Sequence, residues 1–551
     1  MRFWKSSYFF TMKVLLVQPP IHDFYLTQKR TIPYGLACIA ASLESEGFTT
    51  EIFDALATHK SKPIPWPDSM KYLHEYYGRN DGSPFALFHQ FRHFGYSFQH
   101  IGKVARESGA FLIGISSLFT AYSDQAIQTA ITIKEWYPEA IIVFGGHHPT
   151  HFPRQVLMNS SIDYVIRGDG EYSLPALTKA LIYTTPIENI PGVAFRRNDN
   201  DFFIRSPTMM NDLNTAPLPQ SSCIQNRFYR RKKQKSLVVV ASRGCPMQCS
   251  YCALGNDQWP YRKKTVSRII EEISAGIEHA NSAFIDFEDE NISLNKKWFM
   301  HLLSEIGKSF QSKSLTLRAM NGLYPPSLDT EMIHAMKQAG FNALNLSVGT
   351  FAKQQLTQFK RPDVSKKMPE ILYTAHRLNL STTAYIIAGG LYQNPFYSID
   401  DIIKLFQMKT VVGLSIFYPA PGSDDYQTIV QNNLLPENPN LMRGSAIPIS
   451  HTTNRKQCIT LLRLTRMINY LSHLISNQQA IPLPTPCNTN KLPSDSNREQ
   501  IGKTLLSWFF YDSIIRGVDI KGHVYEHQVD TDLVNYFVQQ FNIKNFFTNS
   551  H

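Results

Sequence analysis

The chain has 551 residues and a formal net charge of +11, with 43% hydrophobic and 12% aromatic residues. That length exceeds what one hydrophobic core supports, so we expect two to four domains. No stretch approaches the run of about eighteen apolar residues that predicts a membrane span. The densest basic run, residues 229–235, is typical of a solvated linker, with a patch for nucleic acid or anionic lipid as the alternative. Seven cysteines in so long a chain exclude a disulfide framework, and three of them within eight residues indicate a metal site in a reducing cytoplasm.

The first part of the chain alternates between strands and helices. Helical periodicity at residues 34–46 and about 123–137 separates apolar runs that predict strands at residues 13–17, 50–53, 111–115, 140–144 and 164–166. Residues 57–98 are aromatic and histidine-rich without a clear period, so we interpret them as an insertion or cap. The alternation predicts a doubly wound, Rossmann-like parallel sheet over residues 12–185, which would bind ligands outside the carboxyl ends of its strands.

A second α/β unit is predicted after a connecting segment. Residues 186–236 are rich in proline, asparagine and basic residues and are typical of a linker. Further strands are predicted near residues 237–241, 283–287, 315–319, 343–348, 383–388 and 413–417. Six such repeats over residues 237–430 favour a partial (β/α)6 barrel with its chemistry at the carboxyl ends of the strands. Residues 431–551 form a mixed accessory region that we expect to shape a substrate cavity or a partner surface, with helices near 455–475 and 531–541.

The strongest local signal is a group of three cysteines directly after the first barrel strand. Cys245, Cys249 and Cys252 have the spacing Cys-x3-Cys-x2-Cys, and the next cysteine in the chain is Cys458. Three thiolates on one tight loop can hold three irons of a [4Fe–4S] cubane and leave the fourth iron open. An open coordination position is typical of a catalytic metal site rather than a structural one. The alternatives are a zinc site with a distant fourth ligand, or three unrelated cysteines.

This cysteine pattern, with Tyr251 just before the third cysteine, resembles the radical S-adenosylmethionine (SAM) superfamily over about residues 237–425. The resemblance implies that the open iron chelates the amino and carboxylate groups of SAM, whose cleavage gives a 5′-deoxyadenosyl radical. It also implies that Tyr251 lies beside the adenine. Other strand-end residues, several of them in the acidic turn at residues 287–291, are candidate SAM contacts: Glu288, Asp289, Asn291, Arg318, Asn321, Ser347 and Gly389. Thr350 stands where relatives often carry a glutamate, so the resemblance does not extend to a ribose contact there.

The residues before the linker resemble the cobalamin-binding domain that precedes the barrel in one large radical SAM class. Ser116 and Ser117 end the third strand, and Gly145 and Gly146 end the next. The resemblance implies that the nucleotide tail of cobalamin runs along these loops, where glycine permits close approach of the backbone. Residues 167–171, Arg-Gly-Asp-Gly-Glu, are similar to a turn of the same class.

The loop after the first strand departs from cobalamin enzymes that bind cobalt through a histidine. Those enzymes carry Asp-x-His-x-x-Gly there, whereas residues 18–23 are Gln-Pro-Pro-Ile-His-Asp. We therefore expect no histidine as the lower cobalt ligand, and we interpret His22, His147 and His148 as ordinary loop residues.

Together the resemblances imply an enzyme with three cofactors, a [4Fe–4S] cluster, SAM and cobalamin. Such a methyltransferase would methylate an unactivated carbon or phosphorus of a small molecule or lipid, and a radical cyclisation or rearrangement is the main alternative. An RNA-modifying enzyme is disfavoured because residues 431–551 lack an evident basic β-barrel and the N-terminal domain lacks a second cysteine triad. A non-catalytic sensor is disfavoured by the intact triad. We expect a flavodoxin or ferredoxin as the electron donor.

Overall fold

The computed structural model describes residues 12–25, 32–254, 259–493 and 495–541. The strands before the cysteine motif are β1 (Lys13–Gln18), β2 (Ile21–Asp23), β3 (Thr49–Asp54), β4 (Ser61–Pro63), β5 (Arg92–Phe94), β6 (Leu112–Ser116), β7 (Ile141–Gly145), β8 (Tyr164–Ile166), β9 (Val193–Arg196) and β10 (Phe202–Ile204). The α-helices there are α1 (Tyr34–Ser45), α2 (Phe98–Ser108), α3 (Ser123–Trp136), α4 (His147–His151), α5 (Pro153–Leu157) and α6 (Gly170–Tyr183).

Seven of these strands form one sheet in the order β10-β9-β8-β7-β6-β1-β3. The five strands from β8 to β3 are parallel, and β9 and β10 extend the sheet in antiparallel pairing. One face packs on α2 and α3, and the other packs on α1 and α6. The strand order reverses beside β1, and ligands of such sheets bind at the carboxyl ends of the strands at this reversal. The predicted doubly wound sheet is confirmed.

Two strands lie inside the segment predicted as a linker, so that prediction is wrong for the first part of the segment. β9 pairs with β8, and Val193 and Ala194 are fully buried. Farther along, Ile224 and Tyr229 join the core beside α1 and α6. Strands of four and three residues show no period of their own, and the surrounding proline, asparagine and basic residues conceal them.

The cysteine motif opens the second unit. Its strands are β11 (Lys235–Val239), β12 (Ser242–Arg243), β13 (Arg262–Lys263), β14 (Ser282–Phe287), β15 (Ser314–Ala319), β16 (Ala343–Gly349), β17 (Ser381–Ala388) and β18 (Val411–Ile416). Its helices are α7 (Val266–Gly276), α8 (Lys296–Ser309), α9 (Thr330–Ala339), α10 (Lys353–Gln358), α11 (Met368–Arg377), α12 (Pro395–Gln407) and α13 (Asp424–Gln431).

Six strands of this unit form the partial barrel. β11, β14 and β15 pair in parallel, and so do β16, β17 and β18. Isolated parallel bridges, Leu317 with Phe341 and Leu323 with Leu346, join the two halves. The helices cover the outside, so the carboxyl ends of all six strands open at one mouth. The predicted partial barrel is confirmed.

The last elements are α14 (Arg455–Ser476), α15 (Arg498–Asp512), β19 (Arg516–Val518), β20 (Val524–Glu526) and α16 (Thr531–Phe541). The sequence prediction did not include α15, because its buried residues, such as Leu505, Leu506 and Trp508, run consecutively instead of forming one stripe. The insertion packs against this region, where the Tyr77 hydroxyl donates to the carbonyl of Ser445 at 3.1 Å. None of the described helices is long and apolar enough to cross a membrane.

Candidate active site

The cysteine loop leaves the carboxyl end of β11 and is closed at its base by the antiparallel pair β12 and β13. Gly244 has φ of +81°, and a Cβ there would lie 2.3 Å from the carbonyl oxygen of Pro260, so only glycine fits. The amide of Ser250 donates to the carbonyl of Phe359 at 3.1 Å. The amide of Asp425 donates to the carbonyl of Ser250 at 2.9 Å. The loop is thus held against the segment after α10 and the start of α13.

The three thiols of this loop lie close together. Cys249 is buried, and Cys245 and Cys252 are partly buried. Burial raises the pKa of Cys252 to about 11, and the neighbouring Cys249 and Cys245 also raise it. Among the described residues, no three histidine, cysteine, aspartate or glutamate side chains are arranged to hold a single metal ion, as a zinc site would need. A cubane fits this arrangement better, because each of its cysteines binds a different iron.

Asp289, in the acidic turn after β14, faces the protein interior. Its carboxylate accepts hydrogen bonds from the amides of Ala241 and Ser242, and from the Ser242 hydroxyl at 2.6 Å. Burial raises its pKa to about 7. Because protein donors already use this carboxylate, its contacts tie β11 to β12 and do not favour the SAM contact predicted for it.

Glu290 and Asn291, the next two residues of the turn, face the cysteines. Burial raises the pKa of Cys245 and Cys252, and the nearby Glu290 carboxylate raises both further. Asn291 forms a hydrogen bond with Cys245. The Glu290 Oε2 and Asn291 Oδ1 atoms are buried without a partner. The sequence prediction omitted Glu290, because among four adjacent polar residues no pattern shows which carboxylate turns inward.

Arg318 and Asn321, two other predicted contacts, are engaged with neighbouring strand ends. Arg318 forms a bidentate ion pair with Asp286, its neighbour across β14 and β15. The Asn321 amide donates to the carbonyl of Glu288 at 2.9 Å. Both side chains therefore support the barrel mouth, and Glu288 is half-buried at its rim.

Arg361 organises the site beside Tyr251, although no sequence motif marked it. Its guanidinium donates to the Tyr251 hydroxyl at 2.9 Å and approaches the Cys249 sulfur at 3.8 Å. It also donates to the carbonyl of Val348 at 3.1 Å and to the Ser347 hydroxyl at 3.2 Å. Arg361 thus connects the cysteine loop to β16, and the predicted residues Tyr251 and Ser347 are brought together through it.

Gly389 follows β17 with φ of +79° and lies against Cys458, whose sulfur would be 2.9 Å from an added Cβ. Close packing therefore explains this glycine without a cofactor contact.

The Thr350 hydroxyl donates to Asp401 at 2.6 Å and is fully buried, so it turns away from the barrel mouth.

Two of the four predicted cobalamin residues, Ser116 and Ser117, line a crevice at the reversal of the first sheet, and Gly145 is the register partner of Ser116. Its walls are residues 18–21, Leu56, residues 116–119 and Tyr122. The Ser117 hydroxyl is buried without a partner, and no atom lies within 4 Å of a Cβ built on Gly145. Gly146 has φ of +119° and lies so close to the Ser117 backbone that a Cβ would be 2.6 Å from its carbonyl oxygen. An open backbone and an unpaired hydroxyl at the strand ends fit a large, close-lying ligand such as cobalamin.

Two of the histidines near this crevice, His22 and His148, are engaged elsewhere. His22 shares a hydrogen bond of 2.9 Å with His93 through Nε2, and its Nδ1 lies 3.4 Å from the Gln125 amide. Burial lowers the pKa of His22 to about 3. His148 is buried and contacts the Thr120 hydroxyl at 3.3 Å.

An ion-pair network joins the first unit, residues 12–230, to the cysteine loop. Arg243 of β12 binds Asp169 at 2.9 Å and Glu171 at 2.6 Å, and Arg262 of β13 binds Asp169 at 2.8 Å. The Arg-Gly-Asp-Gly-Glu turn therefore serves as the contact of the first unit with the base of the loop.

The segment after β18 bridges the same two units. Tyr418 is 43% exposed. Partial burial raises the pKa of its hydroxyl, and the nearby Tyr25 and Cys252 also raise it. Gly422 approaches His151 so closely that a Cβ would lie 2.4 Å from its ring. Tyr25 packs against Ile21 and Leu56 of the crevice wall, so the segment at Tyr418 lies between the crevice and the cysteine loop.

Comparison with known proteins agrees with this architecture. Two family models match, the B12 binding domain over residues 89–178 and the Radical SAM superfamily over residues 239–405. A cytidylyl-2-hydroxyethylphosphonate methyltransferase from Streptomyces wedmorensis is 23% identical, over 73% of this chain and 78% of the relative. An anaerobic magnesium-protoporphyrin IX monomethyl ester cyclase from Synechocystis sp. is 23% identical, over 54% of this chain and 61% of the relative.

A solved structure shares the fold. It is the radical SAM methyltransferase TsrM from Kitasatospora setae, with cobalamin and a [4Fe–4S] cluster bound. The two structures align with a TM-score of 0.58 and 15% identity, over 77% of this chain and 75% of that chain. The cofactors predicted from the sequence, a [4Fe–4S] cluster, SAM and cobalamin, are those of the two matched domains. The chain therefore belongs to the radical SAM superfamily, as an enzyme with a B12-binding domain ahead of its radical SAM domain.

Proposed function

We propose that this enzyme methylates an unactivated centre of a small molecule or lipid. The observation that carries the proposal is that the segment around Tyr418 lies near both Cys252 of the cysteine loop and Tyr25, which packs against the crevice wall. We infer that the crevice and the barrel mouth face one substrate space. A substrate held there reaches both cofactors without moving between sites. When bound, the cluster supplies the electron that cleaves SAM, and cobalamin supplies a cobalt centre for methyl transfer.

Within the barrel mouth, we assign roles to the residues around the cysteines. Cys245, Cys249 and Cys252 hold the cluster. Glu290 accepts a hydrogen bond from the amino group of SAM, because its free Oε2 is buried beside the thiols. Tyr251 borders the adenine, in an apolar group that includes Leu391, Phe417 and Ile449.

In the first unit, we assign the crevice beside Ser116, Ser117, Gly145 and Gly146 to cobalamin. His22 would not serve as a lower ligand of cobalt, because both of its ring nitrogens already have partners. We place the boundary between the cobalamin and radical SAM domains near residue 230, and the end of the barrel near residue 430.

The cluster also requires a reductant and a reducing environment. We propose a flavodoxin or ferredoxin as the electron donor, and the cytoplasm as the location. All seven cysteines are free thiols, which agrees with a compartment where disulfides do not persist.

Labelled SAM tests the proposal. Anaerobically reconstituted enzyme is incubated with reductant, cell extract and SAM that is deuterated in its methyl group. We expect a product that carries the deuterated methyl group and is absent with the Cys249→Ala variant. A product that depends on Cys249 but carries no deuterium would contradict methyl transfer.

The second candidate function is a radical cyclisation or rearrangement, which the similarity to the magnesium-protoporphyrin cyclase favours. It uses the same cofactors and the same space between them. In the experiment with deuterated SAM, a product that depends on Cys249 but carries no deuterium would favour this second function.

A further inference from the structure

A second cavity lies between the insertion and the C-terminal region. It is lined by residues 74–77, 79, 81, 87 and 88 of the insertion together with Arg463 and residues 525–528, and its volume is about 300 Å³. We refer to it as the insertion cavity. It shares no lining residue with the cysteine loop or with the crevice beside Ser117.

Two hydrogen-bond donors in the insertion cavity have no partner. Arg463 is 3% exposed, and its guanidinium donates to the carbonyl of Tyr76 at 3.0 Å and contacts His527 at 3.1 Å, but its Nε is unpaired. The Tyr525 hydroxyl is also buried without a partner. Buried donors are nearly always paired, so two unpaired ones in one cavity indicate a missing acceptor.

The acceptor must come from outside, because Asp81, the buried carboxylate of the cavity, is already used, and Glu75 and Glu526 are exposed. Asp81 accepts from the amide of Ser83 at 2.8 Å and contacts His527 at 3.3 Å. Burial lowers the pKa of His527 to about 4, so this ring is neutral at pH 7 and adds no positive charge. Arg463 therefore remains a buried cation without a direct carboxylate partner among the described residues.

The entrance adds a second guanidinium. Arg79 is exposed, lies 4.5 Å above the Tyr525 ring and forms no ion pair with a described residue. Glu75 and Glu526 are exposed at the rim, which disfavours an anion of high charge. Leu87 and Phe88 supply apolar wall, which suits a ring or short hydrocarbon body attached to one anionic group.

We propose that the insertion cavity binds a small molecule with a single carboxylate on an aromatic or apolar body. The carboxylate takes the hydrogen bonds of Arg463 Nε and the Tyr525 hydroxyl, and Arg79 closes over it. Because Arg463 and Arg79 are cations and the ligand is an anion, these hydrogen bonds are charge-assisted and stronger than neutral ones.

Binding of benzoate to the full-length reconstituted enzyme, followed by calorimetry, tests this proposal. Benzamide, which has the same shape without the charge, is the matched ligand control. We expect saturable benzoate binding at least about tenfold tighter than that of benzamide, since hydrogen bonds to charged groups are the stronger ones. Absence of saturable benzoate binding, or equal affinity for benzamide or benzylamine, would overturn it.

Two variants locate the bound carboxylate. Tyr525→Phe removes only an unpartnered hydroxyl and Arg79→Gln changes an exposed side chain, so both should fold with an unchanged melting temperature. Each should weaken benzoate binding by about five- to tenfold. Arg377→Gln is the matched control, because Arg377 also lies over a tyrosine ring, that of Tyr373, and should not alter binding. Unchanged affinity in both test variants would refute the site. The readout is independent of SAM turnover, so it stands or falls separately from the methyltransferase proposal.

Discussion

Asp289 and Glu290 are adjacent carboxylates with opposite roles. Asp289 receives three protein hydrogen bonds and holds β11 to β12, whereas Glu290 keeps a free oxygen beside the thiols. Chain neighbours in a turn point in different directions, so a pattern of acidic residues identifies the turn but not the ligand-facing member. The same limit applies to Arg361, a single arginine whose position depends on how α10 meets β16.

The Glu290→Gln variant separates these roles. We expect SAM affinity to fall about tenfold, because a charge-assisted hydrogen bond to the SAM amino group is weakened. Iron content should remain that of the wild type, since no cysteine changes. Asp289→Asn should instead lower the free energy of unfolding by about 1–3 kcal/mol, because it disturbs a buried acceptor. Equilibrium dialysis with SAM and chemical denaturation measure the two effects. Equal SAM affinity in Glu290→Gln and wild type would contradict the assignment.

Replacing the cysteines tests the cluster assignment. Alanine at Cys245, Cys249 or Cys252 should abolish both the content of about four irons per chain and the cleavage of SAM, because each thiolate binds its own iron. Cys223→Ala is the matched control and should retain iron, since Cys223 packs in the first unit beside α1 and α6. Iron analysis after anaerobic reconstitution gives the answer. SAM cleavage by all three variants would refute the cluster site.

Gly145 offers a test of the cobalamin crevice without disturbing the fold. No atom lies within 4 Å of a Cβ there, so Gly145→Val should fold normally and place its side chain next to Ser116 of the crevice wall. We expect cobalamin affinity to fall at least about tenfold, since a side chain that overpacks a contact costs about 1–3 kcal/mol. Gly307→Val, equally free of neighbours but on α8, should bind cobalamin like the wild type. Absorbance titration reports the affinity, and normal binding by Gly145→Val would argue against the crevice.

At the scale of elements, the Arg-Gly-Asp-Gly-Glu turn and the β12–β13 pair form the main ionic joint between the two units. Burial alone would raise the pKa of Asp169, but Arg243, the Met210 amide and Arg262 outweigh burial and lower it. A lowered pKa means that this carboxylate stabilises the fold above its unfolded pKa of about 3.9 and loses that contribution as the pH falls through its folded value. The joint should therefore stay intact throughout the neutral range.

Removing one charge from this joint should be costly. In Glu171→Gln, Arg243 loses one of its two carboxylate partners while it remains mostly buried, so the free energy of unfolding should fall by about 3 kcal/mol. Glu499→Gln breaks the exposed pair with Lys503 and should leave the free energy of unfolding almost unchanged. The first unfolding transition in urea at pH 7 measures both variants. Equal losses in the two would show that the joint contributes no more than a surface pair.

The predictability of each element follows from its length and its surroundings. Strands such as β6 and β7, with continuous apolar runs between periodic helices, were predictable because burial on both faces dictates their composition. β9 and β10 were not, because short edge strands depend on a neighbour for their hydrogen bonds. α15 was missed since it packs on several sides and has no single apolar stripe. The cysteine spacing was decisive because the cluster chemistry itself dictates it.

At the scale of the whole molecule, residues that follow strands of the two units meet: Gly422 approaches His151, and Arg243 pairs with Asp169 and Glu171. We propose that each sheet positions one cofactor site and that the function depends on their opposition across the space beside Tyr418. The insertion and the C-terminal region pack on each other beside this space and enclose the insertion cavity. No sequence pattern predicted that contact, because it joins segments nearly 400 residues apart.

The central claim, that both cofactors act in one methyl transfer, is tested most directly by the fate of SAM during turnover. Enzyme, reductant and an extract that supports turnover are mixed, and S-adenosylhomocysteine and 5′-deoxyadenosine are quantified over time. A methyltransferase that takes its methyl group from SAM and also cleaves SAM to a radical should form the two in nearly equal amounts. Product formation accompanied by 5′-deoxyadenosine but no S-adenosylhomocysteine would contradict the account and favour a cyclisation or rearrangement.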